Sequence, residues 1–344
     1  MAKTAVVILN WNGIRHKHLS TFLPNVIEHS SKDAEVIVAD NHSDDESVAW
    51  MKESHPDIRL IENPTNAGFA TGYNLALRQI EADYYILLNS DIEVTDNWIK
   101  PVIEMMEHDP SIAACQPKIL SQTPEFRDEF EYAGAAGGFI DKYGYPFCRG
   151  RIFQTLERDH GQYDDSREVF WATGACMFVR AELYHKLGGL DDDFFAHMEE
   201  IDLCWRLKNE GYKIMYCAES TVHHVGGGTL PKKYPKKTYL NFRNNLTLLF
   251  KNMPRKRLLK VYIARVVLDS IAALKFLAEG SFLSFIAVTR AHFSFLRTYR
   301  KTMSKRRLTH KKTVSLVYNG NIVFNYYLGG KKHFSQLKEE RFSR

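Results

Sequence analysis

The sequence predicts an α/β fold on a Rossmann-like nucleotide-binding sheet, followed by a basic, mostly helical C-terminal region. Three observations predict it. Apolar, β-type runs at 5–9, 36–39, 58–61 and 84–88 alternate with helix-like stretches at 19–29, 46–53 and 72–80. The runs end in polar residues: Asn10, Asp40, Asn63 and Asn89. The charge also changes sign along the chain. Residues 231–344 carry 26 Lys+Arg against 4 Asp+Glu, a net +22, whereas residues 1–230 carry 20 against 37, a net −17.

Short apolar strands separated by helices read as βαβ units on a parallel sheet covered on both faces. Such sheets bind ligands at the carboxyl ends of their strands. The candidate edge therefore carries Asn10, Asp40, Asn66 and Asp91. Residues 121–168, with Gly134, Gly137, Gly138, Gly144 and Gly150 and no long periodic run, read as an irregular insertion with short strands, a mobile flap. A strand region at 169–179 and a helix at 181–187, stopped by Gly188-Gly189, come next. A second helix at 199–209 stops at Gly211, and extended segments follow at 212–217 and 221–224.

Beyond Gly226-Gly227-Gly228 the composition shifts. Lys232, Lys233, Lys236 and Lys237 are interleaved with Tyr234, Pro235 and Tyr239. Helices are expected near 238–252 and 256–300. The second is largely apolar yet carries Arg265, Asp269, Lys275, Glu279, Arg290 and His292. No apolar run reaches the roughly 18 residues of a membrane span. Amphipathic helices on an anionic membrane surface are therefore expected, the alternative being a helical subdomain packed on the catalytic part. The division is thus 1–230, catalytic, and 231–344, basic and surface-seeking.

The chain has 344 residues, 44% hydrophobic and 25% charged, which excludes a disordered or fibrous protein. None of its five cysteines is paired at C-x-x-C spacing, so buried reduced thiols and a cytoplasmic setting are expected. The N-terminus lacks the apolar stretch of a signal peptide.

Five constellations could carry chemistry. Asn89-Ser90-Asp91 follows a strand, and a carboxylate there suits Mg²⁺ or Mn²⁺ shared with phosphate; a simple turn would look the same. Asp40, opening Asp40-Asn41-His42-Ser43, suits a ribose hydroxyl or a pyrimidine N–H, against an Asx turn into the next helix. The stretch from Asn63 to Asn74, with Asn66, Gly68 and Gly72, can bring backbone N–H groups to a nucleoside or diphosphate. It is neither a Walker loop nor a dinucleotide fingerprint. Glu199, Glu200 and Asp202 crowd three carboxylates into four positions, as a general base requires. An acidic first helical turn gives the same pattern, with Asp202 paired to Arg206 at i+4. Finally, His223-His224 beside glycines can ligate a metal or contact phosphate.

Together these motifs resemble the family 2 glycosyltransferases, in particular their rhamnosyltransferase-like branch. The resemblance rests on Val6–Gly13, Asp40-Asn41-x-Ser43, Asn66-x-Gly68-Phe69-Ala70-x-Gly72-x-Asn74, Leu87–Asp91, Thr173–Met177 and Phe194–Arg206, and covers roughly residues 4–229. It implies the glycosyltransferase A (GT-A) fold and an inverting transfer. It also implies the site residues. Asn10, Asn12, Asp40, Asn66, Gly68, Asn74, Asn89 and Ser90 would contact the nucleotide sugar. Asp91 and His224, or His223, would hold the metal. Gly174, Ala175 and Trp205 would face the acceptor. The base falls on Glu200, where the family usually has Asp, with Glu199 as second candidate.

The expected reaction moves a sugar from a UDP- or dTDP-sugar, dTDP-rhamnose included, to a glycan or lipid-linked acceptor in cell-surface polysaccharide synthesis. The cofactor is Mg²⁺ or Mn²⁺, the location the inner face of the cytoplasmic membrane, and no nucleic acid is involved. Two rivals remain at this point. A nucleotidyltransferase would want a basic, glycine-rich loop where Asn10–Arg15 stand. A non-enzymatic nucleotide-sugar binding protein is the other, but a basic tail serving nucleic acid would want a zinc-finger or RNP pattern, which this tail lacks.

Overall fold

The computed structural model describes residues 2–226, 235–307 and 312–344. Gly227, Gly228, Lys232, Lys233 and Tyr234 lie outside the described residues.

The chain begins with alternating strands and helices: β1 (Thr4–Asn10), α1 (His18–Ser30), β2 (Glu35–Asp40), α2 (Ser47–Ser54), β3 (Arg59–Glu62), α3 (Phe69–Leu77) and β4 (Tyr84–Asn89). β1 pairs in parallel with β2 and with β4, and β2 with β3. The register aligns Asn10 with Asp40 and Leu9 with Asn89, so the polar strand ends share one sheet edge. Alternate residues of β1 enter different cores, as a strand's two-residue period requires. Val6 and Ile8 pack with Leu19 and Leu23 of α1, while Ala5 and Val7 pack on the α3 side with Tyr73 and Leu77. Each such aliphatic side chain contributes about 1.5–3 kcal/mol by leaving water.

After β5 (Ile92–Val94), α4 (Lys100–His108) and β6 (Ile112–Ser121), the region expected to be a loose flap is instead a packed second sheet. It is built from β7 (Gly138–Asp141), β8 (Pro146–Cys148), β9 (Arg151–Ile152) and β10 (Thr155–Leu156). Strands of two to four residues are too short to show a period. Their stability comes from buried Phe130, Phe139, Phe147 and Ile152.

β11 (Arg167–Val169), β12 (Cys176–Arg180), α5 (Ala181–Lys186), α6 (Glu199–Glu210) and β13 (Lys213–His224) complete the catalytic core. Among the described residues the main sheet has nine strands in the order β11-β13-β6-β12-β4-β1-β2-β3, with β5 on β13. It is mixed rather than wholly parallel, because β12 runs antiparallel between β4 and β6. The two extended segments expected near 212–224 are one strand with an irregularity between Cys217 and Thr221. All five cysteines are free and buried.

The basic region forms α7 (Pro235–Asn252), α8 (Arg255–Ala278), α9 (Phe282–Arg307), β14 (Val317–Tyr318) and α10 (Ile322–Tyr327). The single helix expected at 256–300 is two, broken at Gly280, whose φ of 75° suits glycine. The charge boundary at 230 is not a packing boundary. β14 adds a parallel strand to β7, and Phe334 and Phe342 stack around Phe139. Leu246 and Leu249 of α7 belong to the same core as Val7 and Tyr73. Arg265 and Asp269, two of the charges seen inside α8, belong to a buried network. Arg265 pairs with Asp269 at 3.1 Å, and Asp269 also takes Tyr145 at 2.7 Å and His292 at 3.0 Å. Among the described residues no helix is long and apolar enough to cross a membrane.

Candidate active site

At the ends of β1 and β2 the side chains knit into one network. Asn10 Nδ2 donates to Asp40 Oδ1 at 2.8 Å, and the Ser43 hydroxyl and N–H donate to the same carboxylate at 2.6 and 2.9 Å. Asn12 braces the neighbouring turn: its N–H donates to Ser43 and its Oδ1 accepts from Asp44 N–H. A second asparagine set ties in the next loop. Asn41 Nδ2 donates to Asn66 Oδ1 at 3.0 Å, and Gly68 N–H donates to the same oxygen at 3.1 Å. Gly68 has φ 95°, and a Cβ there would meet the Phe195 ring and carbonyl at 2.5–2.6 Å. Only glycine lets this loop close onto the turn before α6.

Asn74 does something else. Its Oδ1 accepts from Tyr184 and Leu190, and its Nδ2 donates to Leu190 and Asp192. All its hydrogen-bonding capacity goes into holding the 188–192 loop, so it shapes the site from behind.

Asn89 ends β4, and Ser90-Asp91 make the turn into β5. β13 brings His224 alongside, with Nε2 3.2 Å from Asp91 Oδ1 and 3.4 Å from Asn89 Nδ2. Its Nδ1 lies 2.8 Å from Glu131 Oε2. Burial opposes charge on all three groups, yet their mutual attraction wins: Asp91 and Glu131 are held low and His224 high. His223 points to the other face, as adjacent strand residues must, and lies across from Glu93. The geometry thus brings His224 rather than His223 to Asp91.

The pair fits a divalent cation. Two donors bound at about 2.1 Å on adjacent octahedral positions stand roughly 3 Å apart, close to the 3.2 Å seen. Among the described residues no group of three His, Cys, Asp or Glu forms a ready cage. That suits an ion completed by water and substrate phosphate.

The third part of the edge lies across β12. Asn89 N–H donates to Ala175 O at 2.9 Å. A Cβ on Gly174 would stand 3.4 Å from Phe69 and 3.6 Å from the Glu200 Cβ. Glu200 therefore sits one residue beyond the backbone that touches the Asp91 turn, at the same sheet edge. The turn leading to it is strained: Phe195, His197 and Met198 all have positive φ, at 64°, 71° and 76°. Asn244 of α7 pins it, its Nδ2 lying 2.7–2.9 Å from the carbonyls of Phe194, Ala196 and His197.

Glu199 is buried and Glu200 half-buried, and one buried oxygen of each has no partner. Burial raises Glu200 to about 7, although backbone N–H groups pull it down. Burial, then the Glu200 charge, raises Glu199 well above the carboxylate range. Burial and the Lys237 charge lower His197 to about 4, so it is neutral. Asp202 takes the structural part expected of it. It binds Arg206 and Lys251, each at 2.8 Å, and Asn252. Trp205, expected at the acceptor, lies in the core instead: it is 3% exposed and meets Phe170 edge-on. It stands in the second turn of α6, a helix buried on all sides from Ile201 to Asn209.

Sequence reasoning missed Glu131 and Asn244. Glu131 stands 93 residues before His224 in an irregular segment, and no spacing marks it. Asn244 lies in a region read for its charge alone.

The family model described as Glycosyl transferase family 2 matches residues 5–188. An N-acetylglucosaminyl-diphospho-decaprenol L-rhamnosyltransferase of Mycobacterium tuberculosis is 26% identical over 231 residues, covering 62% of this chain and 73% of that protein. Rhamnosyltransferase WbbL of Escherichia coli K12 is 25% identical over 264 residues, covering 72% and 92%. Among solved structures, GalNAc-T7 with UDP, GalNAc and Mn²⁺ aligns with a TM-score of 0.56 at 15% identity, over 74% of this chain and about half, 49%, of that one. Mannosyltransferase PcManGT of Pyrobaculum calidifontis, with GDP-Man and Mn²⁺, aligns at 0.50 and 17% identity, over 89% and 84%. These two likenesses concern the fold. The chain belongs to glycosyltransferase family 2 and has the GT-A fold.

Proposed function

We propose that this glycosyltransferase moves a sugar from a UDP- or dTDP-linked donor, dTDP-rhamnose first among them, to a glycan or lipid-linked acceptor in cell-surface polysaccharide synthesis, with inversion. One observation carries the reading: Asp40, the Asp91–His224 pair and Glu200 share one end of the sheet, joined through the Asn89–Ala175 contact and Gly174. Two relatives named as rhamnosyltransferases support the sugar, and the lipid diphosphate in one of those names supports the acceptor class.

In this reading Asp40, with Asn10, Asn12, Asn66 and Gly68, shapes the nucleoside subsite, and Asn89 and Ser90 border the diphosphate. Asp91 and His224 would hold Mg²⁺ or Mn²⁺, which offsets charge on the departing diphosphate. The Glu200 carboxylate takes the proton of the acceptor hydroxyl as that oxygen attacks the anomeric carbon. The new C–O bond forms opposite the breaking bond to the phosphate oxygen, so the centre inverts. A base near neutrality suits this step, and Glu199, raised higher, is held protonated beside it. Gly174 and Ala175 line the acceptor side, and Trp205 supports α6 from the core. Residues 1–230 carry the chemistry, while 231–344 brace it and present the enzyme to an anionic membrane surface on the cytoplasmic side.

A donor panel tests this. dTDP- or UDP-sugar should raise Tm only with Mn²⁺ or Mg²⁺ present, and slow release of nucleoside diphosphate should follow. Pyrophosphate release from a nucleoside triphosphate and a sugar phosphate would instead favour a nucleotidyltransferase.

A further inference from the structure

The inner and outer faces of α8 differ from those of an ordinary amphipathic helix. Its inner stripe, Leu258, Val261, Arg265, Asp269 and Ala273, is buried against the rest of the protein. A helix seated on a water-soluble domain normally turns polar residues outward. Here the outward stripe is apolar as well. Leu259, Ile263, Val267, Ile271 and Leu274 are 69%, 57%, 55%, 58% and 60% exposed, at the three-to-four-residue spacing of a single face. From Leu259 to Leu277 this face runs about 27 Å. On α9, Phe282, Phe293 and Leu296 extend the exposed apolar surface. α10 adds Phe324 and Leu328, and its Tyr327 ring lies 5.6 Å from Lys275 of α8.

The charges on this surface are nearly all of one sign. Lys256 and Lys260 begin the α8 face, and Arg290, Arg297 and Arg300 are exposed on α9. The one acidic residue of the hairpin outside the buried network, Glu279 just after α8, is paired with Lys275. A second copy of the chain meeting this face about a two-fold axis would set these cations against their like. An anionic lipid surface matches both features: the acyl boundary takes the stripe and the headgroups take the cations.

We propose that the outer face of the α8–α9 hairpin, with α10 beside it, lies in the interface of an anionic membrane. This deepens the reading of a lipid-linked acceptor by naming the surface that meets the lipid. Binding is read without sugar transfer, so the two can fail separately.

Because α7 is part of the catalytic core, point variants test the face better than deletion. Full-length protein is floated with phosphatidylcholine vesicles with and without phosphatidylglycerol. The wild type should bind the anionic vesicles and weaken with salt. Ile263→Glu with Leu274→Glu should lower partitioning at least about tenfold. Arg297→Gln with Arg300→Gln should lower it about tenfold or more, at about fivefold per charge. Both doubles should keep the wild-type Tm and donor-induced thermal shift. The proposal is overturned if the wild type ignores anionic vesicles or if both variants bind as it does. It is equally overturned if Ile263→Glu with Leu274→Glu converts a dimer to a monomer while vesicle binding stays unchanged. Tight vesicle binding with no transfer to any lipid-linked acceptor would leave this inference standing and remove the functional reading.

Discussion

The proposed donor and acceptor ends of the cleft hold the same chemical group in contrasting surroundings. At the donor end Asp40 accepts from Asn10 and Ser43, and Asp91 is held low beside His224. At the acceptor end Glu199 is buried and Glu200 partly buried, yet each keeps an oxygen without a partner, and both are raised. Asp91, partnered by His224, is a committed anion that can hold a cation. Unpartnered carboxylates stay near the point of gaining or losing a proton. Environment, not residue type, separates the binding acids from the candidate base.

The largest expected effect breaks the acceptor end. Glu200→Gln keeps the shape and removes the base, so turnover should fall by about 10²–10⁴ with donor affinity retained. Initial rates and donor calorimetry read the two separately. Near-normal turnover would move the base to Glu199.

Changes at the donor end should sort the other way. Glu131→Gln leaves a hydrogen bond to His224 but removes the charge that orients it. Mn²⁺ affinity, read by calorimetry or paramagnetic resonance, should drop about 10–100-fold. An unchanged affinity would mean that Glu131 only packs the second sheet.

Asn244→Ala strips the amide from three carbonyls of the strained turn. The cost should be about 1–3 kcal/mol, seen as a lower kcat with little change in donor Kd. An equal loss of donor binding would mean that the turn serves both ends.

The smallest effect is on stability. Burial raises Glu200 from 4.5 to about 7, so the folded protein holds its proton more tightly than the unfolded chain. That contribution is whole below pH 4.5 and lost as pH rises through about 7. Glu200→Gln should therefore raise Tm by a few degrees at pH 8 and leave it unchanged at pH 4.

The sheet was legible because its strands are apolar throughout and stop at Asn10, Asp40 and Asn89, and those stops line up in the fold. Gly68 and the Asp202–Arg206 pair were also readable, one from backbone need and the other from helical spacing. What stayed hidden depends on contacts distant in sequence. The flap is a sheet because Phe334 and Phe342 return from the C-terminus to cover it. Glu131 matters because β13 carries His224 to it. Trp205 lies among motif residues but is packed in the core. Asn74, in α3 beyond the loop expected to border the donor, spends every hydrogen bond on the 188–192 loop. Spacing can say which residues share a helix face, but not which face meets the cleft.

The pH dependence of kcat/KM tests the contrast between the two ends most directly. The wild type should gain rate with unit slope below about pH 7 and level off above it, as Glu200 loses its proton. In Glu200→Gln the residual rate should show no break there. A break that persists unchanged in that variant would contradict the account.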